Sequence, residues 1–122
     1  DGLIGPGESR TVTVTGSGQR FVRLSLAGML LPTNDTFVAV DSLRLPRYGT
    51  TVTAMAYDAG SEDNDELCAS IPGPQCGGEP FSEGLGEGYV HVSSGISGEA
   101  DLPSMEYDWH NPVARVSVRR VP

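Results

Sequence analysis

Two aspartates stand where a metal ion could bind between neighbouring strands. Asp35 precedes the apolar segment Phe37–Leu45. Asp58 follows the apolar segment Thr50–Tyr57, and residues 46–49 between the two segments have the composition of a turn that joins antiparallel strands. Residues whose numbers sum to about 95 then lie opposite each other, and 35 plus 58 gives 93. We therefore predict that both carboxylates lie at the same end of the structure, about 4.8 Å apart if the strands pair, where a cation that prefers oxygen ligands at about 2.3 to 2.6 Å could bridge them.

The distribution of charge favours a cation as the ligand. The net charge is -8, and all eight basic residues are arginines. No arginine lies between Arg47 and Arg115, although that stretch holds twelve of the sixteen acids. Phosphate backbones and anionic lipids would be repelled, so we expect no nucleic-acid partner. We also expect no membrane insertion, because the sequence contains no transmembrane run.

The two cysteines predict a disulfide. Cys68 and Cys76 enclose seven residues that are rich in proline and glycine, which is too short and turn-rich a loop for two unrelated buried thiols. By loop entropy, such a closure stabilises the folded state by about 2.5 kcal/mol. A disulfide implies an oxidising compartment, so we expect a mature secreted chain that is extracellular, periplasmic or bound at a cell surface.

The pattern of the chain predicts an all-β domain. With 122 residues it is expected to form one domain over 1–122, and its 16 glycines and 9 prolines divide it into short segments. Alternating or apolar segments predict strands at Arg10–Thr15, Arg20–Ala27, Phe37–Leu45, Thr50–Tyr57, Tyr89–Ser93 and Val113–Val121. No segment predicts a helix, so an antiparallel β-sandwich of about six to eight strands follows by elimination.

The segment Phe37–Leu45 departs from strict alternation. Val38 and Val40 fall on the face opposite Phe37 and Leu43. This pattern indicates either burial on both faces or a bulge near Asp41–Ser42. Both alternatives make the strand central.

Several segments, taken in order, resemble the spondin domain, the N-terminal module of F-spondin and mindin that also occurs alone in secreted bacterial proteins. The resemblance is carried by Asn34–Leu43, Tyr57–Glu62 and Pro112–Val116. The segments Glu66–Gly78 and Val90–Ser93 look like the bacterial branch of the family. The match covers the C-terminal portion of the family domain.

The resemblance implies a β-sandwich similar to calcium-dependent membrane-targeting domains, with a calcium ion held in the loops at one end. Asp35 and Asp58 match the acidic positions expected to hold that ion, and Glu62 stands where the family often has aspartate. Thr36 and Ala39 depart from the family pattern, because the aromatic residue comes one place later and alanine replaces glycine. Neither change removes a carboxylate.

The N-terminal part of the family domain has no counterpart in this chain. A sandwich without its first strands leaves an open edge and an uncovered core face. Another chain could cover it, a neighbouring copy could donate a strand, or the protein could be a shorter variant. We therefore expect self-association through the open edge as one kind of partnership.

The remaining polar candidates favour structural roles. His91 and His110 are expected to be exposed, and neither fits the spacing of a zinc motif with the cysteines. The acids of Asp63–Asp65 are expected to be solvated or to support a metal ligand indirectly, because the glycine and glutamate of an EF-hand are absent. The glycine-rich segment Gly84–Gly88 carries Glu87 where a phosphate would bind, which excludes a phosphate loop.

These observations favour a binding module over an enzyme, because no nucleophile and base occur in a catalytic pattern. The first hypothesis is a secreted, calcium-binding β-sandwich for adhesion or extracellular interaction, with an unknown protein or surface ligand as partner. The alternative is a self-assembling subunit of a filament or surface layer, completed by a strand from a neighbouring chain.

Overall fold

The described residues fold into one antiparallel sheet with long connecting loops. A computed structural model describes residues 2–16 and 22–122. The described strands are β1 (Arg23–Met29), β2 (Thr36–Arg44), β3 (Gly49–Asp58), β4 (His91–Val92) and β5 (Ala114–Arg119). The all-β class is therefore confirmed, although the described strands number five, fewer than the predicted six to eight, and pair in a single sheet. The sandwich itself stays a prediction.

Helical structure is confined to two short segments of the described chain. These are a 3-10 turn at Cys68–Ser70 and the single helical turn α1 (Ser104–Tyr107). No described helix has the length and apolar character needed to cross a bilayer.

The pairing of β2 with β3 is the one that the sequence predicted. Thr36 lies opposite Asp58 and Phe37 opposite Tyr57 in antiparallel register, so opposing residue numbers sum to 94. The rings of Phe37 and Tyr57 pack with centroids 5.8 Å apart. Asp35 and Asp58 consequently lie at the same end of the sheet, as predicted.

Strand β3 is the centre of the sheet. Its last residues pair with β2 on one edge and with β4 on the other, and its first six residues pair with β5. Ala56 donates its amide to Asn111 Oδ1 and accepts a hydrogen bond from the amide of Ser93, while Ala54 accepts one from Val113. Alternate residues of a strand direct their backbone groups to the same edge, so β4 and β5 follow one another along the edge opposite β2.

The irregular segment of β2 contains a bulge. The register with β1 shifts between Leu24 and Leu26, and Ser42 has a positive φ of 52°. Ser25 Oγ accepts a hydrogen bond from the amide of Ser42 and donates one to Asp41 Oδ1. The bulge predicted near Asp41–Ser42 is therefore confirmed, and β2 is not buried on both faces because its end is exposed.

The predicted strand Arg10–Thr15 is wrong. These residues form no strand, and Val12 and Val14 are 82% and 67% exposed. Alternation predicts which face a strand buries, but a strand also needs a partner for its amides and carbonyls, and the described chain supplies none here. The predicted strand Arg20–Ala27 starts at Arg23, and its first two residues lie outside the described part.

The largest buried apolar side chains cluster among the loops, whereas the fully buried apolar residues of the sheet are Ala54 and Ala56 of β3. Ile71, Ile96 and Leu102 are buried against one another, and four partly buried residues pack on them: Cys68, Cys76, Tyr107 and Trp109. The disulfide between Cys68 and Cys76 is present as predicted. The long segment between β3 and β5 therefore has a buried apolar cluster of its own, with a disulfide packed against it.

Replacement of Leu102 by alanine should destabilise the fold by about 3 kcal/mol, because it removes a side chain that is 1% exposed and leaves a cavity. Leu85→Ala is the matched control, since Leu85 is 91% exposed and its loss should change the free energy of unfolding by less than about 0.5 kcal/mol. Urea unfolding of both variants measures the difference. Equal midpoints would show that this cluster is not the core.

Candidate metal sites at one end of the sheet

All three predicted calcium ligands lie at or just beyond the end where β2 begins and β3 finishes. Asp58 is the last residue of β3 and is 2% exposed. Asp35 stands one residue before β2, and Glu62 lies in the loop that leaves β3. The antiparallel pairing of the two strands places them there.

Residues 59–90 connect β3 to β4, and we call residues 59–66 the loop after β3 and residues 79–90 the loop before β4. Asp35 connects the loop after β3 to the start of β2. Its Oδ2 accepts hydrogen bonds from the amide of Ser61 at 2.7 Å, the hydroxyl of Ser61 at 2.9 Å and the amide of Glu62 at 3.0 Å. Its other oxygen, Oδ1, is buried and has no hydrogen-bond partner. A buried carboxylate oxygen normally has a partner, so this one is a candidate ligand atom.

Glu62 is the second acid of this part of the site. Its Oε2 accepts a hydrogen bond from the amide of Ser82 at 3.0 Å, which connects it to the loop before β4. Burial raises the pKa of Glu62, and the negative charges of Asp35 and Asp65 raise it further against the lowering effect of the Ser82 hydrogen bond. Asp35 and Glu62 line a shallow open depression of about 420 Å³. The two carboxylates thus lie close enough to repel each other.

Asp58 belongs to a different cluster. Its Oδ1 accepts a hydrogen bond from the amide of Gly60, and its Oδ2 accepts one from Asn64 Nδ2, both at 2.7 Å. Oδ1 also lies 3.7 Å from Nε2 of His91. Together with Glu87, these groups form a set in which the three potential ligand atoms lie within 4.8 Å of one another.

The predicted ligands are therefore divided between two places. Among the described residues, one set of three or more potential ligand atoms lies within 4.8 Å of one another, and it contains Asp58 but neither Asp35 nor Glu62. The register explains the division, because Asp58 lies opposite Thr36 rather than Asp35. Successive side chains of a strand point to opposite faces, so an offset of one residue separates the two carboxylates.

His91 and Glu87 are the residues that sequence reasoning missed. His91 was expected to be exposed on the sheet, yet its Nε2 is buried and lies 3.7 Å from Glu87 Oε2 as well as from Asp58. The predicted strand Tyr89–Ser93 is reduced to His91–Val92, which pairs with the last two residues of β3. The sequence signal for this pair was a glutamate in a glycine-rich loop, Glu87, four residues before the histidine that begins β4.

Close backbone packing brings the loop before β4 onto the loop after β3. Gly60 and Gly86 both have positive φ, and a Cβ on either would overlap backbone atoms of the other loop. Gly88 donates its amide to the carbonyl of Gly60 at 2.8 Å. This contact, possible only where side chains are absent, places Glu87 and His91 over Asp58.

The imidazole of His91 is held by its own strand. Nδ1 lies 3.0 Å from the carbonyl oxygen of Val92. The pKa of His91 is raised, first by this hydrogen bond and then by the negative charges of Asp58 and Glu87, while desolvation opposes the increase. No arginine contributes to the described ion pairs of this end of the sheet.

The acids of Asp63–Asp65 serve the loops. Asp63 Oδ1 accepts a hydrogen bond from the amide of Gly86 at 3.1 Å, and Asp65 Oδ1 accepts one from Asn34 Nδ2 at 2.8 Å. Asp63 thus connects the loop after β3 to the loop before β4, and Asp65 connects the loop after β3 to the residues just before β2. Both acids therefore support the site rather than being free in solvent.

Comparison of the chain with protein-family models, with curated proteins and with solved structures finds no match. The resemblance to the spondin domain accordingly stays a prediction.

Removal of the charge at Glu62 should stabilise the protein at neutral pH when no metal ion is bound. A carboxylate whose folded pKa is raised makes the folded state less stable as pH increases from the ordinary value of 4.5 through the folded value. Glu62→Gln removes that cost and keeps an oxygen for the Ser82 amide. Thermal unfolding in chelator between pH 4.5 and 7 measures it, with exposed Glu83→Gln as control. A lower midpoint for Glu62→Gln at pH 7 would contradict the prediction.

Proposed function

We propose that the chain is a secreted, non-enzymatic β-sheet module that binds calcium between Asp35 and Glu62 and then presents the surrounding loops as an adhesive or interaction surface. The observation that carries this proposal is the buried Oδ1 of Asp35, which has no hydrogen-bond partner and belongs to a carboxylate that lines the same open depression as Glu62.

Electrostatics support a cation at this position. The pKa of Glu62 is raised partly by the charge of Asp35, so the two ionised groups destabilise each other in the absence of a counter-ion. The stretch between Arg47 and Arg115 contains no basic residue other than histidine, and the described acids there pair with no arginine. A divalent ion would neutralise both carboxylates.

The donor set favours calcium among the divalent ions. Calcium takes six to eight oxygen ligands in flexible geometry, and it accepts carboxylates, carbonyls and waters together. Asp35 and Glu62 supply carboxylates, and the open depression that they line leaves room for waters. The resemblance to the spondin domain points to the same ion at this end of the sheet.

Ion binding would order the loop before β4 as well as the loop after β3. Glu62 holds the amide of Ser82 and Asp35 holds the amides of Ser61 and Glu62, so both loops are attached to the two ligands. Phe81, next to Ser82, is 62% exposed. We infer that a partner protein or surface ligand contacts this aromatic ring and its neighbours when calcium holds the loop.

The disulfide supports the secreted location, because such bonds persist in oxidising compartments. Its two cysteines flank the loop core and do not contribute ligands to either acidic group. The proposal therefore assigns them a stabilising role only.

Calcium should stabilise the folded protein, by about 2.7 kcal/mol at a free concentration of 100 times the Kd. The double variant Asp35→Asn with Glu62→Gln should lose this response, because both ligand charges are removed. Thermal unfolding with calcium or with chelator measures it.

The matched control is Glu83→Gln with Glu99→Gln, which removes two charges from exposed positions and should keep the calcium response. The proposal fails if wild type shows no calcium-dependent shift, or if the Asp35 and Glu62 double variant responds as strongly as the control.

Strand β1 favours a second candidate function, the self-assembling extracellular subunit. It lies at the end of the described sheet, and six of its seven residues are exposed, including Leu26 and Met29 at 36% and 47%. An edge strand with apolar side chains exposed on it is a template for a strand from another chain.

Sedimentation velocity over a hundredfold range of protein concentration tests this alternative. Self-assembly predicts a sedimentation coefficient that increases with concentration, and introduction of a lysine at Leu26 should suppress the increase because edge charges oppose pairing. A constant monomer value at every concentration would exclude it.

A further inference from the structure

We propose that Asp58, Glu87 and His91 form a second metal site, which binds a divalent ion of the zinc class rather than calcium. It goes beyond the calcium function, because none of its three side chains is a ligand there. We infer this second site from the positions of the three potential ligand atoms, which lie within 4.8 Å of one another.

The spacing of the ligand atoms fits a metal ion and does not fit hydrogen bonds. His91 Nε2 lies 3.7 Å from Asp58 Oδ1 and 3.7 Å from Glu87 Oε2. Hydrogen bonds of this kind are about 2.7 to 3.2 Å long. Two ligands at about 2.0 to 2.2 Å from a tetrahedral zinc ion lie about 3.4 Å apart. The two distances from His91 exceed that value by about 0.3 Å, and the third separation, between the Asp58 and Glu87 oxygens, is within 4.8 Å.

The tautomer of His91 leaves its ligand atom free. A carbonyl oxygen only accepts, so the hydrogen bond to Val92 requires that Nδ1 carries a proton. In neutral imidazole the lone pair is then on Nε2, which is buried, has no hydrogen-bond partner and lies between two carboxylates. Metal-binding histidines usually donate their other ring N–H to a carbonyl or carboxylate in this way.

Hydrogen bonds also orient the carboxylates of Asp58 and Glu87. Asp58 is fixed by the amide of Gly60 and by Asn64 Nδ2, and Asn64 Nδ2 also lies 3.4 Å from Glu87 Oε1. One amide group therefore connects the two acids on the side away from His91. Such supporting hydrogen bonds reduce the reorganisation that an incoming ion would require.

The chemistry of the set selects the ion. Calcium and magnesium prefer ligands that are all oxygen, whereas imidazole together with carboxylates suits zinc and its neighbours in the first transition row. Two carboxylates neutralise a divalent ion, and three protein ligands leave a fourth position for water. The Glu87 side chain is 38% exposed, which opens the site to solvent on that side.

A zinc titration of the full, untagged chain by isothermal calorimetry at pH 7.5 tests the proposal, with calcium present at saturation. We expect one equivalent to bind and expect His91→Gln and Glu87→Gln each to weaken binding at least about tenfold. His110→Gln, which removes the exposed second histidine, should leave the affinity unchanged. Co²⁺ in place of zinc should give the intense visible absorption of a four-coordinate site, and His91→Gln should abolish it.

The outcomes separate this site from the calcium site. Asp35→Asn with Glu62→Gln should keep zinc binding, and His91→Gln should keep the calcium response. Absence of zinc binding overturns the proposal. Unchanged zinc binding in Glu87→Gln, or its loss in His110→Gln, also overturns it. Glu87 is partly exposed, so Glu87→Gln decides the question even if His91→Gln does not fold.

Discussion

Hydrogen bonds from backbone amides to carboxylates hold this structure together at its acidic end. Asp35 receives the amides of Ser61 and Glu62, Asp58 receives that of Gly60, and Glu66 receives those of two residues after β4. Charge-assisted bonds of this kind are stronger than bonds between neutral groups. No arginine lies between Arg47 and Arg115, so backbone amides take the place of counter-ions for the acids there. Each buried acid consequently determines the path of a loop.

This arrangement satisfies the carboxylates only in part, so the proposed metal binding would be linked to the order of the loops. An amide neutralises no charge, so several negative groups remain close together after every loop is in place. Asp35 uses one oxygen for the loop and leaves the other buried without a partner, and Asp58 holds a loop while it faces His91. The atoms that hold the loops are thus on the same side chains as the atoms available to an ion, and an ion would stabilise the conformation that the amides already select.

The sequence predicted the features that depend on local patterns. Two apolar segments around a short turn predicted β2 and β3 in nearly the correct register, and the spacing of Cys68 and Cys76 predicted the disulfide. It did not predict which acids meet, because opposing residues sum to 94 whereas Asp35 and Asp58 sum to 93, and an offset of one residue moves a side chain to the other face. Residues such as Glu87 and His91 meet Asp58 through contacts between two glycine loops, and no periodic signal reports such contacts. Residues 10–15 show the opposite case: their strong alternation predicted a strand, but no partner strand is present in the described chain and none forms.

The same register that divides the acids explains how one end of a small sheet can offer two chemically distinct sites. Asp35 and Glu62 lie in an open depression and present oxygen alone, which suits a hard ion with many waters. Asp58 ends the central strand directly opposite His91 of β4, and the pairing of the two strands places the nitrogen that we propose as a ligand 3.7 Å from the Asp58 carboxylate. The loop that leaves β3 is common to both, since Gly60 is bonded to Asp58 and Ser61 to Asp35. An ion at either site therefore fixes a segment that the other site also needs, and the two would assist each other through the order of that loop rather than through direct contact.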